Sequence, residues 1–360
     1  MNYKIVNDKT SFYDLKKTWN SLEDSDPQVT YFSTFKYFYS WAIEKFNANN
    51  NLFIICVIHN NEIVGIAPLQ IERVKKLFIV NKVVKFISKG DYNNFIFRHD
   101  LNLDIENIIS TIFKAINENK KLWDEIYLPL ISSNSFLSHY FLKRNNLNKN
   151  FKFLIESPYL DIRDYSAKKL LDIFKTKRKF YNKFLNDIDF DFIITHKNVV
   201  DEISKIHIKQ KTIMSRNGVK GRRSYYEDKN MVSFLNKLYT RNKNCLTYIL
   251  KDKKNDNIIG YETGYIHKNI FHSYNVGFDP LYSKYRVGVL LKRMIIEHNI
   301  SNNIWDIIDM GPGRYDWKFF LTSSFNSMYY YSEKKYQSGQ TKYFLKLNIF
   351  FYYLLRIIKM

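Results

Sequence analysis

The sequence predicts an α+β fold with a mixed sheet, the same architecture laid down twice in succession. Three observations predict it. Helical periodicities and short strand-like runs follow each other as helices, a strand meander, a helix and further strand, once in each half of the chain. At 360 residues the chain exceeds the length at which a single core stops growing. Hydrophobic residues make up 45% and aromatics 17%, against 11 Gly and 6 Pro, a composition that packs rather than staying disordered.

In the first half, YKIV reads as a short strand, and FYDLKKTWNSL and FKYFYSWAIEKF read as helices. LFIICVIHN and EIVGIAPLQI are strands joined by the turn formers Asn60 and Asn61. The basic apolar stretch VKKLFIVNKVVKFIS leads into the polar loop GDYNN. A helix over 104–119, the strand WDEIYLPL and a helix in SFLSHYFLKR complete the half. SPYLDI (157–162) is the crossing point.

The second half opens with a helix in SAKKLLDIFKTKRKFYNKFL, followed by the strand DFIITH and helices over 198–214 and 226–240. CLTYILKD, NIIGYETGYIH and NIFHSYNVGF are strands. Val287, Leu290, Leu291, Met294, Ile295 and His298 recur on one helical face, which must pack on a sheet. IWDIIDM, the short GPGRYDWKFF and the strand SMYYYSEK close the half. In the C-terminal tail, the uncharged run Leu347–Leu355 lies between Lys346 and Arg356. It is too short to span a bilayer, and is expected to dock as a helix on protein or to lie in a membrane interface.

The net charge of +21 suits a nucleic acid, a membrane surface or a polyanionic substrate. It equally suits the Lys, Asn, Ile, Phe and Tyr drift of an AT-rich genome, and no RGG, zinc-finger or RNP-type motif accompanies it. Cys56 and Cys245 lie in apolar strand runs and are expected to be buried free thiols. His267 and His272 have no carboxylate or thiol partner nearby in sequence, so no metal site is expected. MNYKIVNDKT lacks an apolar signal region, which leads to a cytoplasmic expectation.

The segment with the most chemistry is YSKYRVGVLLKRMIIEH (282–298). The strand before it ends at Asp279-Pro280, a basic loop with Lys284 and Arg286 follows, and a helix begins near Gly288. Strand, cationic loop and helix N-terminus together make an anion site, because the first helical amides and the helix dipole point into the loop.

NVGFDPLYSKYRVGVLLKRMI resembles the "YSPG" segment and following helix of a branch of the GNAT superfamily: the CelD-type acetyltransferases of cellulose and exopolysaccharide clusters, related to the Fem-type peptidyltransferases. FSTFKYFYSW, GIAPLQI and GDYNN agree in order with the first half of that branch. SPYLDI, KTKRKF, IHIKQKTIMSRNG and DMGPGRYDWKFF agree with the second. The resemblance covers most of 30–333 and is strongest after 157.

It implies tandem GNAT-like domains over 1–156 and 157–335, with 336–360 as a tail, and an acyl-CoA donor, acetyl-CoA first, in the second domain. The thioester carbonyl would lie on the strand Ser273 to Val276, and the pyrophosphate on Lys284, Arg286, Val287, Gly288 and Val289. The superfamily's Arg/Gln-x-x-Gly-x-Gly/Ala reads Ser283, Arg286 and Gly288 at its fixed positions here. Lys318, in the aromatic-Lys pair of GRYDWKFF, would stabilise the oxyanion or grip a phosphate. Glu262 is a candidate base and Tyr274 a donor to the leaving sulfur. Asp316, Trp317, His207 and the loop Asp91, Tyr92 and Asn93 would meet the acceptor.

Each of these residues also has a bland reading: a snorkelling lysine for Lys318, a solvent-facing strand position for Glu262, a helical core histidine for His207, and a plain polar turn for Asp91–Asn93. The expectation is N-acyl transfer to an amine of an amino sugar or glycan precursor. Two alternatives stand beside it: a Fem-like transferase using charged tRNA, and a non-catalytic scaffold touching the inner membrane face through the tail.

Overall fold

The computed structural model describes residues 1–334 apart from 46–49, 77–78, 102, 164 and 220–222, so the C-terminal tail reading lies outside the described residues. Two compact units form, and they interleave along the chain. The first comprises Met1–Val29, Lys45–Leu154 and Tyr329–Met360, and the second Thr30–Glu44 and Ile155–Met328. The boundary expected at 156/157 falls inside the strand Phe151–Asp161.

In the first unit, Ile54–His59 pairs antiparallel with both Asn2–Val6 and Glu62–Ala67, and the latter with Ile96–Phe97. The hairpin turns at Asn60 and Asn61 with φ of 48° and 64°, the left-handed pair that a tight two-residue turn requires. A second ladder joins Asn50–Leu52, Leu69–Lys76 and Ile79–Phe86 antiparallel, then Glu125–Ser132 parallel. The helix Ile105–Glu118 starts at Asp104, whose carboxylate accepts from the Glu106 amide at 2.9 Å. It buries Ile108, Ile109, Ile112 and Ile116 in the core shared with Val57, Phe97 and Trp123. Gly65 is needed there, since a Cβ would come within 2.4 Å of Ile108. The helix expected over 12–22 instead breaks at Leu15 into Lys9–Asp14 and Lys16–Ser25, buried through Phe12, Trp19 and Leu22.

The second unit has its own ladder. Phe190–Thr195, Cys245–Asp252, Ile258–His267 and Ile270–Phe278 pair antiparallel in that order. Ile307–Asp309 then runs parallel to Ile270–His272 and antiparallel to Tyr159–Asp161. The helices Val200–Arg216 and Lys229–Tyr239 contribute Val200, Ile203, Phe234 and Leu238 to the buried interior.

The helix Val287–Asn302 buries the predicted face, Val287, Leu290, Leu291, Met294 and Ile295. It also buries a second stripe, Lys292, Ile296 and Asn299. A lysine and an asparagine hide that stripe from any apolar count. Asn299 belongs inside because its side chain closes the helix end, donating to Trp305 O at 2.8 Å and accepting from the Trp305 amide at 3.1 Å.

The segment Thr30–Glu44 belongs with this unit by its aromatic contacts. Tyr31 stacks on Tyr265 at 4.3 Å, and Trp41 meets Phe234 edge-on at 4.9 Å. Both cysteines are buried free thiols, and burial pushes each up to about 12.

Candidate active site

The site is built on the strand Ile270–Phe278. On one side it pairs with Ile258–His267, but the register shifts: Asn275 faces Thr263 while Ser273 faces Gly264, leaving Tyr274 as an extra, bulged residue. Gly264 permits the close approach, because a Cβ there would lie 2.1 Å from His272 O. On the other side the strand pairs with Ile307–Asp309 only over Ile270–His272. Among the described residues, Ser273–Phe278 carry no ladder partner on that edge. A half-open strand with outward amides is the result.

Beyond Phe278, Asp279 caps a 3₁₀ turn over Pro280–Tyr285 by accepting from the Leu281 amide at 3.0 Å, and it pairs with Lys209 at 2.7 Å. The turn ends at Arg286 with φ +56°, and the helix Val287–Asn302 starts with no side-chain cap. Lys284 and Arg286 are exposed, and Arg286 lies 4.8 Å over the Phe180 ring. A shallow hollow here is lined by Phe174, Lys177, Phe180, Tyr181, Arg286 and Arg293. Val287 is fully buried and packs close to Gly260, so its side chain belongs to the core rather than to a ligand. Gly288 is different: a Cβ there would meet nothing within 4 Å. Its lack of a side chain answers to no packing demand inside the protein.

Lys318 is not a snorkelling lysine. It is 4% exposed, and its ammonium donates to Gly311 O at 2.7 Å and Pro312 O at 3.0 Å. Gly311 and Gly313 take φ of +71° and +124° to wrap the loop around it. Asp309 supports the same loop by accepting from the Gly311 amide at 2.8 Å, and its other oxygen lies 3.3 Å from His272 Nδ1. Trp317 is 40% exposed, with the ammonium groups of Lys318 and Lys292 each 5.7 Å from its ring centre. Asp316 is exposed at the start of the same short helix.

Glu262 lies opposite Val276 on the neighbouring strand Ile258–His267. It is fully buried, and its Oε1 accepts from Lys292 Nζ on the helix Val287–Asn302. A carboxylate enclosed in that way is an internal counter-ion to Lys292, whose own pKa is lowered by burial. The solvent-facing reading does not describe it.

Tyr274 is half-buried among Tyr265 at 5.3 Å, Tyr225 at 6.1 Å and Phe32 at 6.2 Å. Ser273 is buried and Val276 partly so. Asn275, which sequence reading passed over, is held by Tyr261 at 2.5 Å and Tyr226 at 3.3 Å, both hydroxyls donating to its Oδ1. An asparagine inside a strand is disfavoured, and that was the available signal.

His207 is buried on the helix Val200–Arg216, with Nδ1 2.7 Å from Ser224 Oγ and the Tyr225 and Tyr226 rings at 5.3 Å. Burial, with a smaller contribution from Lys211, pushes it down to about 4, so the imidazole is neutral at physiological pH. The unfolded chain therefore binds a proton near the ordinary value of 6.5 that the folded one refuses until about 4. Stability should be complete above pH 6.5 and decline as pH falls towards 4, by roughly 3 kcal/mol at most. Urea titrations from pH 4 to 7 should show that slope, and His207→Gln should flatten it; an unchanged slope would assign the loss to other groups.

Asp91, Tyr92 and Asn93 lie in the first unit. Asn93 is buried, its amide donating to Leu130 O at 2.9 Å and its Nδ2 to Pro129 O at 3.0 Å. Those bonds fix the loop to the strand Glu125–Ser132. No group of His, Cys, Asp and Glu among the described residues could hold a metal ion.

Residues 174–319 match the family model described as Acetyltransferase (GNAT) domain. A search of the curated proteins finds no match. Among solved structures, FemX superposes with a TM-score of 0.59 at 11% identity, covering 96% of this chain and 99% of its own. A tandem GNAT protein from the clavulanic acid biosynthesis pathway gives 0.52 at 7%, covering 94% and 100%. The C-terminal domain of a putative lysylphosphatidylglycerol synthetase from Agrobacterium fabrum gives 0.52 at 9%, covering 95% and 96%. At these identities the superpositions speak for the fold, a tandem GNAT-like arrangement, while the match over 174–319 carries the activity. The half-open strand, the cationic helix start and the Lys318 loop thus all lie in or border an acetyltransferase domain of the GNAT type, and the protein is an acyltransferase.

Proposed function

We propose that this protein is an N-acyltransferase that takes its acyl group from acetyl-CoA and passes it to the amine of an amino sugar or polysaccharide precursor, as in the CelD-type branch. The observation that supports the reading is the edge Ser273–Phe278, which among the described residues pairs with no further strand and leads through the Pro280–Tyr285 turn to the helix start at Arg286–Gly288. An extended pantetheine arm can lie along such an edge, with its phosphates on the helix amides and its thioester at the bulge. Attack by the amine forms the C–N bond, and collapse of the tetrahedral oxyanion breaks the C–S bond. The amine's proton ends on the CoA sulfur, with Tyr274 as the proposed carrier. The sugar acceptor rests on the resemblance of the sequence to that branch, and a cytoplasmic location accords with a CoA donor.

A charged-tRNA donor is the second reading. It draws on the net charge of +21 and on the cations Lys177, Arg286 and Arg293 along one hollow.

Gly288→Ala tests the donor's placement. The new methyl meets no protein atom, so helix propensity should raise stability by roughly 0.5–1 kcal/mol. The same methyl stands where the phosphates approach, and acetyl-CoA affinity should fall by about tenfold or more, equivalent to ~1.4 kcal/mol. A stabilised variant with unaltered acetyl-CoA affinity would place the phosphates elsewhere.

A further inference from the structure

The order of residues along the Ile270–Phe278 strand fixes the order of the donor's parts. If the phosphates lie on the helix start that follows Phe278 and the carbonyl on Ser273–Val276, the acyl chain must point back towards Ile270. In that direction the open edge ends, because the ladder with Ile307–Asp309 resumes at His272 and Asp309. The acyl chain therefore runs into a closed corner. His272, 3% exposed and 3.3 Å from Asp309, forms its floor. Tyr274 forms its near wall.

Packed over both is Phe32, a residue from the segment Thr30–Glu44 far away in sequence. Its ring is 5.4 Å from His272, 6.2 Å from Tyr274 and 5.7 Å from Tyr265, and it is 1% exposed. Tyr37, 5.3 Å away and fully buried, holds it in place. Phe32 reaches the bulged strand because Tyr31, beside it in sequence, is anchored by its stack on Tyr265 and by the Asn242 amide donating to its hydroxyl at 2.5 Å.

We infer that Phe32 sets the length of the acyl group this enzyme accepts, closing the corner to anything much longer than acetyl. The inference rests on the proposed acyl-CoA reading. No atom of Phe32 takes part in the transfer; it acts as a specificity determinant by volume. Replacing a buried ring with a methyl leaves a cavity that the surroundings fill only in part, and that space adjoins the position assigned to the acyl chain.

The test is calorimetric titration of the full chain and of Phe32→Ala and Phe32→Leu with free CoA, acetyl-CoA, butyryl-CoA and hexanoyl-CoA. Wild type should bind acetyl-CoA in preference to hexanoyl-CoA. Phe32→Ala should raise the hexanoyl-to-acetyl affinity ratio by about tenfold or more, since each methylene admitted to an apolar pocket counts for 10-fold or so. Free CoA should bind wild type and variants alike. Phe32→Leu keeps most of the packing and should move the same ratio in the same direction by less, which guards against a poorly folded alanine variant. An unchanged ratio in Phe32→Leu and Phe32→Ala, with free CoA still bound, would overturn the inference and leave the donor reading standing. Failure of wild type to bind any of the four thioester or thiol forms would overturn both.

Discussion

Lys292→Met should destabilise the second unit by about 3–5 kcal/mol. Lys292 is 2% exposed and its partner Glu262 is not exposed at all. Removing the ammonium strands a carboxylate in the core, and its Oε2 already accepts no hydrogen bond among the described residues. Glu262→Gln should be costly in the same way, because it leaves Lys292 without its counter-ion. The double variant Glu262→Gln/Lys292→Met, which buries neither charge, should recover much of the loss. Urea unfolding of the four proteins reads the coupling directly. Additive losses would mean that the two groups do not act as a pair. The same series bears on catalysis, since a Glu262 acting only as counter-ion should be dispensable for turnover once the double variant folds.

The second large effect concerns Lys318. Its ammonium donates to the carbonyls of Gly311 and Pro312, which places a cationic side chain in a buried loop beside Trp317. Such a charge stabilises a developing oxyanion well, because nothing has to reorganise when the charge forms. Lys318→Met keeps the bulk and removes the charge. With acetyl-CoA and glucosamine as a surrogate acceptor, kcat should fall by about 10²–10³-fold while acetyl-CoA affinity stays near wild type. A parallel loss of donor affinity and turnover would instead show that the lysine only braces its loop.

Much of the architecture was legible in the sequence because it rests on local rules. Apolar strand-like runs on either side of the Asn60-Asn61 turn marked the first hairpin, and apolar periodicity marked the core face of the helix Val287–Asn302. Long-range pairing was not legible. Nothing in YFSTFKYFYSW announces that Tyr31 and Phe32 pack on Tyr265, since aromatic residues in an apolar segment suit any core. Within the site, Lys318 and the cationic loop were singled out by motif, whereas the enclosure of Glu262 was not legible. A carboxylate between glycines on a strand looks available until Lys292, thirty residues later and on a helix, is seen to enclose it. Lys292 and Asn275 escaped notice for one reason. Each is a polar residue whose burial depends on a partner distant in sequence, and single-residue preferences carry no such information.

In the proposed function the open strand edge and the helix start at Gly288 hold acetyl-CoA. Calorimetric titration of the full chain with acetyl-CoA, alongside Arg286→Glu, tests it most directly. The claim predicts saturable one-to-one binding to wild type and a loss of about tenfold or more in Arg286→Glu, as an anion site next to a new carboxylate must weaken. Absence of acetyl-CoA binding, or equal binding by the Arg286→Glu variant, would contradict it.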